Sequence, residues 1–240
     1  MGQFITQRAS RSEVLSMTSQ SVQLDPLNSP HPIPWSWVTA TLAEGTPNKH
    51  SYRSHALTSP DGHYKAYSRI QTQTEPEVYQ SRVSSVLFIE NLQTGDLQVI
   101  TATSPFAENP FISNSADLAG TISIVIPISW SATGDRLLAR EFESIFCSDI
   151  ASDYALVWDR TLNRSTTVAP TKIEYTNAIL LGWSEEFGDR VLFQAGNLGE
   201  TPWKLWTVDM ESETLEAVND RPQTYGQVTN SVWAGPQTQR

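Results

Sequence analysis

The sequence predicts an all-β protein of repeated antiparallel strands, on three observations. A two-part layout of turn and strand recurs three times. The apolar runs are short, rich in Val, Ile, Leu, Phe, Tyr, Trp and Thr, and bounded by Gly, Asp, Asn and Ser. No long stretch keeps the spacing of an amphipathic helix. β-branched and aromatic side chains fit a pleated surface, and the bounding residues supply reversals.

The elements follow in order. "LTSPDGHYKAYSR" (Leu57–Arg69), "ISWSATGDRLLARE" (Ile128–Glu141) and "LGWSEEFGDRVLFQ" (Leu181–Gln194) each carry a serine, a turn with Gly and Asp, and an apolar-rich run. The serines are Ser59, Ser131 and Ser184; Trp130 and Trp183 precede the last two, and Thr58 holds that place in the first. Read alone, Ser59-Pro60-Asp61-Gly62 could hold a metal or a phosphate. Beside Gly134-Asp135 and Gly188-Asp189 it reads as the first of three equivalent turns, since Asp-Gly is ordinary hairpin chemistry.

A second layout follows each one: "SSVLFIENLQTGDLQVIT" (Ser84–Thr101), "SDYALVWDRTLNRSTTVA" (Ser152–Ala169) and "WKLWTVDMESETLEAVN" (Trp203–Asn219). Each is an apolar strand ending in an acid (Glu90, Asp159, Asp209), then a polar turn and a more polar strand. The serine-to-acid spacings are 31, 28 and 25, and the serine steps are 72 and 53. Without Ala102–Thr121 the first step is 52. A period of about fifty lies in the range of propeller blades. A third strand with two apolar faces belongs within stacked sheets; the polar fourth strands, Ser165–Val168 and Thr214–Val218, suit an outer edge.

These residues resemble the propeller repeats of the TolB-like and WD40-like families. The matching pieces are Ser59-Pro60-Asp61-Gly62 with Tyr64–Tyr67, Gly134-Asp135 with Leu137–Ala139, and Gly188-Asp189 with Val191–Phe193. Val157-Trp158-Asp159 looks like the dipeptide closing a WD-repeat strand. The likeness covers about residues 51–219; Pro60 has no counterpart in the later copies, and the third turn is one residue longer. It implies four-stranded antiparallel blades and an interaction platform, with no stated partner. Composition sets apart a Pro/Ser/Gln-rich N-terminal arm with possible closing strands, residues 1–50, from a propeller-like repeat domain, residues 51–240.

Three blades leave open edges, and the ends of the chain offer a remedy. Gln227–Pro236 reads as the first strand of a fourth repeat, with Trp233 at the place of Trp130 and Trp183. Ser21–Leu24 and Pro34–Ala43 are candidate strands of the same mixed blade, which predicts contact between Trp233 and Pro34–Ala43. A curved open sheet, or closure on a second subunit, is the alternative. The proline-spaced "DPLNSPHPIPW" should be extended, as a strap or a partner ligand.

The formal charge is −10, which disfavours non-specific nucleic-acid binding. Residues 1–110 carry 7 Lys+Arg against 9 Asp+Glu, and residues 111–240 carry 9 against 17, so the later half is a solvated acidic surface or a face for a basic partner. Cys147 is the single cysteine, which excludes an intrachain disulfide. No run is long enough for a transmembrane helix. The start lacks a signal-peptide stretch, though Met1–Thr6 fits a short myristoylation pattern. With four lysines beside plentiful Gln, Thr and Ser, the composition looks bacterial, and the expected location is cytoplasmic.

No Gly-x-Ser-x-Gly, Walker A, Rossmann or EF-hand signature is present. His55 and His63 flank the first turn and could meet across a hairpin. Acids around Cys147 would raise its thiol pKa, pointing to a structural cysteine. Glu141/Glu143 and Glu185/Glu186 are acid pairs. Two insertions, Ala102–Thr121 and Glu143–Ser152, break the repeat, and long loops often carry function. Phe106 and Phe111, with Trp35 and Trp37, are the candidate interaction residues. The reading is a non-catalytic protein–protein interaction scaffold without cofactor, an accessory subunit or assembly factor of a larger complex. The alternatives are a hydrolase or lyase at the rim, and a small-ligand or metal-binding module.

Overall fold

The computed structural model describes residues 25–43, 47–101, 119–229 and the strand 234–238. Two short N-terminal elements come first, helix α1 (Trp35–Leu42) and strand β1 (Asn48–Arg53). Three four-stranded antiparallel meanders follow, one for each repeat. The first is β2 (Ala56–Thr58), β3 (Tyr64–Thr74), β4 (Arg82–Asn91) and β5 (Leu97–Ile100). The second is β6 (Thr121–Trp130), β7 (Arg136–Ile145), β8 (Ala151–Asp159) and β9 (Arg164–Val168). The third is β10 (Asn177–Ser184), β11 (Val191–Gly196), β12 (Lys204–Val208) and β13 (Thr214–Glu216). Among the described residues the molecule is thus all-β apart from one α-helix and one 3-10 turn, and the sheets they form are not closed.

The meanders are joined differently. β4 runs parallel to β6 through Val83 and Ile122, which merges the first two into one sheet. The third forms its own sheet, held to the second by side chains: Leu180 N–H donates to Asp153 Oδ2 at 3.0 Å, and Asn177 Nδ2 donates to Ala151 O at 2.7 Å. Tryptophan supplies a repeated link. The Trp130 indole donates to Leu57 O at 3.2 Å, and the Trp183 indole donates to Trp130 O at 2.7 Å.

Burial follows from this stacking. All of β6 is buried, as are most of β4, β7 and β8, because each is covered on both faces. In β12, at the end of the array, Leu205 and Trp206 are only half-buried. One apolar cluster groups Trp130, Trp158, Leu87, Leu137 and Leu156 between the first two meanders, with Trp130 and Trp158 edge-to-face at 6.3 Å. The other joins Phe142 and Val157 to Leu180, Trp183 and Phe193 of the third meander.

The C-terminal segment laces the first strands of all three meanders. β14 (Pro222–Gln223) pairs with β10; Tyr225 O accepts from Trp130 N–H at 2.9 Å; β15 (Gln227–Thr229) pairs with β2. β16 (Ala234–Thr238) then pairs with β1, which itself pairs with β3. This close passage needs glycine. At Gly182 (φ +147°) a Cβ would stand 2.8 Å from Gln223 O, and at Gly226 (φ +105°) it would stand 2.8 Å from Thr58 O. So the C-terminal end of the chain does return to the first repeat, but it adds two short strands there.

Pro34–Ala43 is not a strand, contrary to expectation. Pro34 occupies the N-cap of α1, and the helix buries Val38, Thr41 and Leu42. Trp37 stacks on Tyr52 at 5.8 Å, and the Thr41 and Tyr52 hydroxyls share a hydrogen bond. Tertiary burial has overridden the β-preference of its Trp, Val and Thr residues. Ser21–Leu24 and Trp233 lie outside the described residues.

Candidate functional site

The rim of turns is the first place to look, since the sequence puts Ser, Asp and Gly there three times. Ser59 Oγ donates to Asp61 Oδ1 and accepts from Tyr64 N–H at 3.0 Å. Ser131 repeats this, donating to Asp135 Oδ1 at 2.6 Å and accepting from Arg136 N–H at 3.0 Å. The third copy differs. Ser184 donates to Asp220, from the loop before β14, and Asp220 also accepts the N–H groups of Glu185 and Glu186. Asp189 therefore does not hold the third turn as Asp61 and Asp135 hold theirs.

The turns do gather on one edge. Arg160 donates to Asp61 Oδ2 at 2.7 Å and lies 4.7 Å over the Tyr64 ring. Arg136 makes a long bond of 3.5 Å to Asp189 O. Burial opposes the charge on Asp61, but bonds from Ser59, His63 N–H and Arg160 hold its carboxyl at about 2. Bonds from Ser131 and Thr133 lower that of Asp135 as well. A carboxylate so bonded is a stable acceptor and a poor base at neutral pH.

The histidines go to separate partners. His63 Nδ1 faces Asp61 Oδ2 at 3.3 Å, while His55 bonds to the Pro127 backbone. His31 Nε2 lies 2.9 Å from Leu181 O. Burial lowers the pKa of both His31 and His55, favouring neutral rings. Among the described residues no group of three His, Cys, Asp or Glu side chains is placed to hold a metal.

A buried charge network fastens the N-terminal strap. Arg140 is fully buried and donates to Asp153 Oδ1 at 2.8 Å, Asp25 Oδ2 at 2.7 Å, Asp25 Oδ1 at 3.1 Å and His31 O at 2.7 Å. Asp25 also accepts the N–H groups of Leu27, Ser29 and Ile33. Every strong donor and acceptor is matched, which is what a buried ion cluster requires. Residues 25–33 are therefore a strap over the body.

Glu141, one strand position on, is the opposite case. It is fully buried, and neither carboxylate oxygen has a hydrogen-bond partner among the described residues. Burial first, and then the nearby Glu143 carboxylate, push its pKa up to about 8. It is carried neutral at pH 7.

Of the expected interaction residues, Trp35 lies edge-on to Phe142 at 6.2 Å and Trp37 stacks on Tyr52, so both are half-buried against the core. Phe106 and Phe111 lie outside the described residues. Cys147 stands exposed in the β7–β8 turn at φ +60°. A cavity of about 330 Å³ opens on the third sheet, lined by Gln194, Gly199, Glu200, Thr201, Pro202 and Trp203. It holds a single ionisable side chain, too few for acid–base work.

A surface not foreseen is the outward face of the first meander. β3 alternates strictly, sending Ala66, Ser68 and Ile70 inward and Lys65, Tyr67 and Arg69 outward. Tyr67 stacks on Phe88 at 5.4 Å, Arg53 lies 4.1 Å over Tyr67, and Arg69 lies 6.0 Å from the Phe88 ring centre. The signal is the alternation of β3 itself, but the face becomes visible only when the registers with β1 and β4 are known.

Comparison with known proteins adds no family. The chain matches no protein-family model, and no curated protein matches it. Among the described residues no helix is long and apolar enough to cross a membrane.

Proposed function

We propose that this protein is a non-catalytic interaction scaffold, a propeller-like array of three blades serving as an accessory subunit or assembly factor. The observation that carries the reading is how the described acids and histidines are used. Asp61, Asp135 and Asp220 cap turns, Asp25 and Asp153 neutralise Arg140, and the rings of His31, His55 and His63 bond to carbonyl or carboxylate oxygens. Open sheet edges and outward faces remain as the working surface. The gathering of turns on one edge favours the second reading, a hydrolase or lyase at the rim, but Asp61 and Asp135 are engaged by their own serines.

Affinity capture from the source cells, with size-exclusion co-elution at fixed stoichiometry, tests this. A scaffold co-elutes with a defined partner. Elution alone at every concentration, with no partner retained, overturns the reading.

A further inference from the structure

Resting on that scaffold reading, we propose that the outward face of the first meander binds an acidic, extended polypeptide segment. Arg53 and Arg69 are direct cross-strand partners on β1 and β3, and both are exposed. Like charges placed opposite each other across a ladder repel, and among the described residues neither guanidinium has a carboxylate partner. Lys49 and Lys65 share the face; of the acids beside it among the described residues, Glu90 is paired with Lys65 at 2.9 Å, and Glu75, just past β3, accepts from Gln73 at 3.0 Å. The face is thus cationic on a chain of formal charge −10.

The geometry selects carboxylates. Arg53 is held 4.1 Å over the Tyr67 ring, and a guanidinium seated on an aromatic ring can still offer its planar N–H fork to a bidentate carboxylate. Among the described residues the flanking strand β5 pairs only with β4, and it exposes Leu97 and Val99, at 50% and 49%. Leu97 and Val99 stand opposite Glu90 and Phe88, so they sit beside the charged ladder. A strand alternating acid and apolar side chains matches such a surface. Single-stranded nucleic acid fits less well, because Tyr67 and Phe88 already stack on each other and Arg53 covers Tyr67, leaving little open ring face for bases.

The test is fluorescence anisotropy with a labelled peptide alternating glutamate and valine, its glutamine counterpart, and an oligothymidylate. The full chain should bind the glutamate peptide, not the glutamine one, and more weakly in 500 mM than in 50 mM salt, conditions spanning the loss of screened attraction. Arg53→Ala with Arg69→Ala should weaken binding about tenfold, and Arg53→Lys with Arg69→Lys, which keeps charge without the fork, should fall between. Both positions are exposed, so thermal unfolding should show the variants folded. Unchanged binding by the alanine pair, equal binding of the glutamine peptide, or tighter binding of the oligothymidylate overturns the proposal. So does self-association removed by the variants without any peptide binding. A native partner retained equally by the alanine pair overturns this site alone; recovery of no partner at all overturns the scaffold reading.

Discussion

Glu141 should make the protein less stable as pH rises toward the alkaline side. Its pKa is about 8 in the folded chain against an ordinary value of 4.5. Between these values the folded state holds a proton that the unfolded state has released. The contribution is complete below about pH 4.5 and is lost as pH rises through about 8, at about 1.4 kcal/mol per pH unit. Across the window this amounts to about 5 kcal/mol, a large share of an ordinary domain's stability. Glu141→Gln keeps the shape and removes the titration. Urea unfolding followed by tryptophan fluorescence reads it, because Trp130, Trp158 and Trp183 are fully buried. Subtracting the variant's stability from the wild type's at pH 5, 6, 7 and 8 cancels the shared titration of His31 and His55, which runs the other way. The difference should fall steadily with pH. A flat difference would refute the claim that Glu141 is buried and unpaired.

Three further outcomes follow from the same geometry. Arg140→Ala strands Asp25 and Asp153 in the interior and should cost about 3–5 kcal/mol in chemical denaturation, whereas Lys172→Ala in an exposed turn should cost almost nothing. Asp220 ties Ser184 to the Glu185–Glu186 turn, and its carboxyl is lowered by those bonds against the pull of burial; Asp220→Asn should lower stability at neutral pH and lose its effect as acid protonates the wild-type carboxyl, read by thermal unfolding at pH 7 and pH 3. Deleting residues 222–240 removes β15 from the outer side of β2 and β14 from that of β10 and should lower the melting temperature by several degrees, about what a loss of 1–2 kcal/mol produces, with increased hydrogen exchange in both strands.

Much of the architecture was legible because it is local. Each repeat is a chain of neighbouring hairpins, so serine, turn and apolar run could be read from consecutive residues, and β9 and β13 begin within a residue of the expected strands. What escaped depends on distant residues. The acid for the third turn comes from Asp220, and the partner that fixes Arg140 is Asp25, 115 positions away. Helix α1 carries strand-forming residues and is decided by the core that Val38 and Leu42 enter. The Arg53–Arg69 face was invisible for a related reason: sequence alternation shows that Arg69 points outward, but only the β1–β3 register places Arg53 opposite it. Glu141 sat in plain sight as half of an acid pair, yet nothing nearby in sequence distinguished a buried glutamate from a solvated one.

The lacing of β14 and β15 across the three meanders bears on how the chain reaches its native state. Thr229 bonds to Ala56 across 173 residues. A chain emerging from the ribosome forms each meander soon after its own strands appear, but β2 must wait, unpaired along one side, until all three repeats have been made. Contacts this distant in sequence are slow to form, and a waiting strand edge is where a nascent chain meets its neighbours. Synthesis rate and chaperone occupancy over the last repeat should therefore govern the yield of native protein more than any step within the meanders themselves.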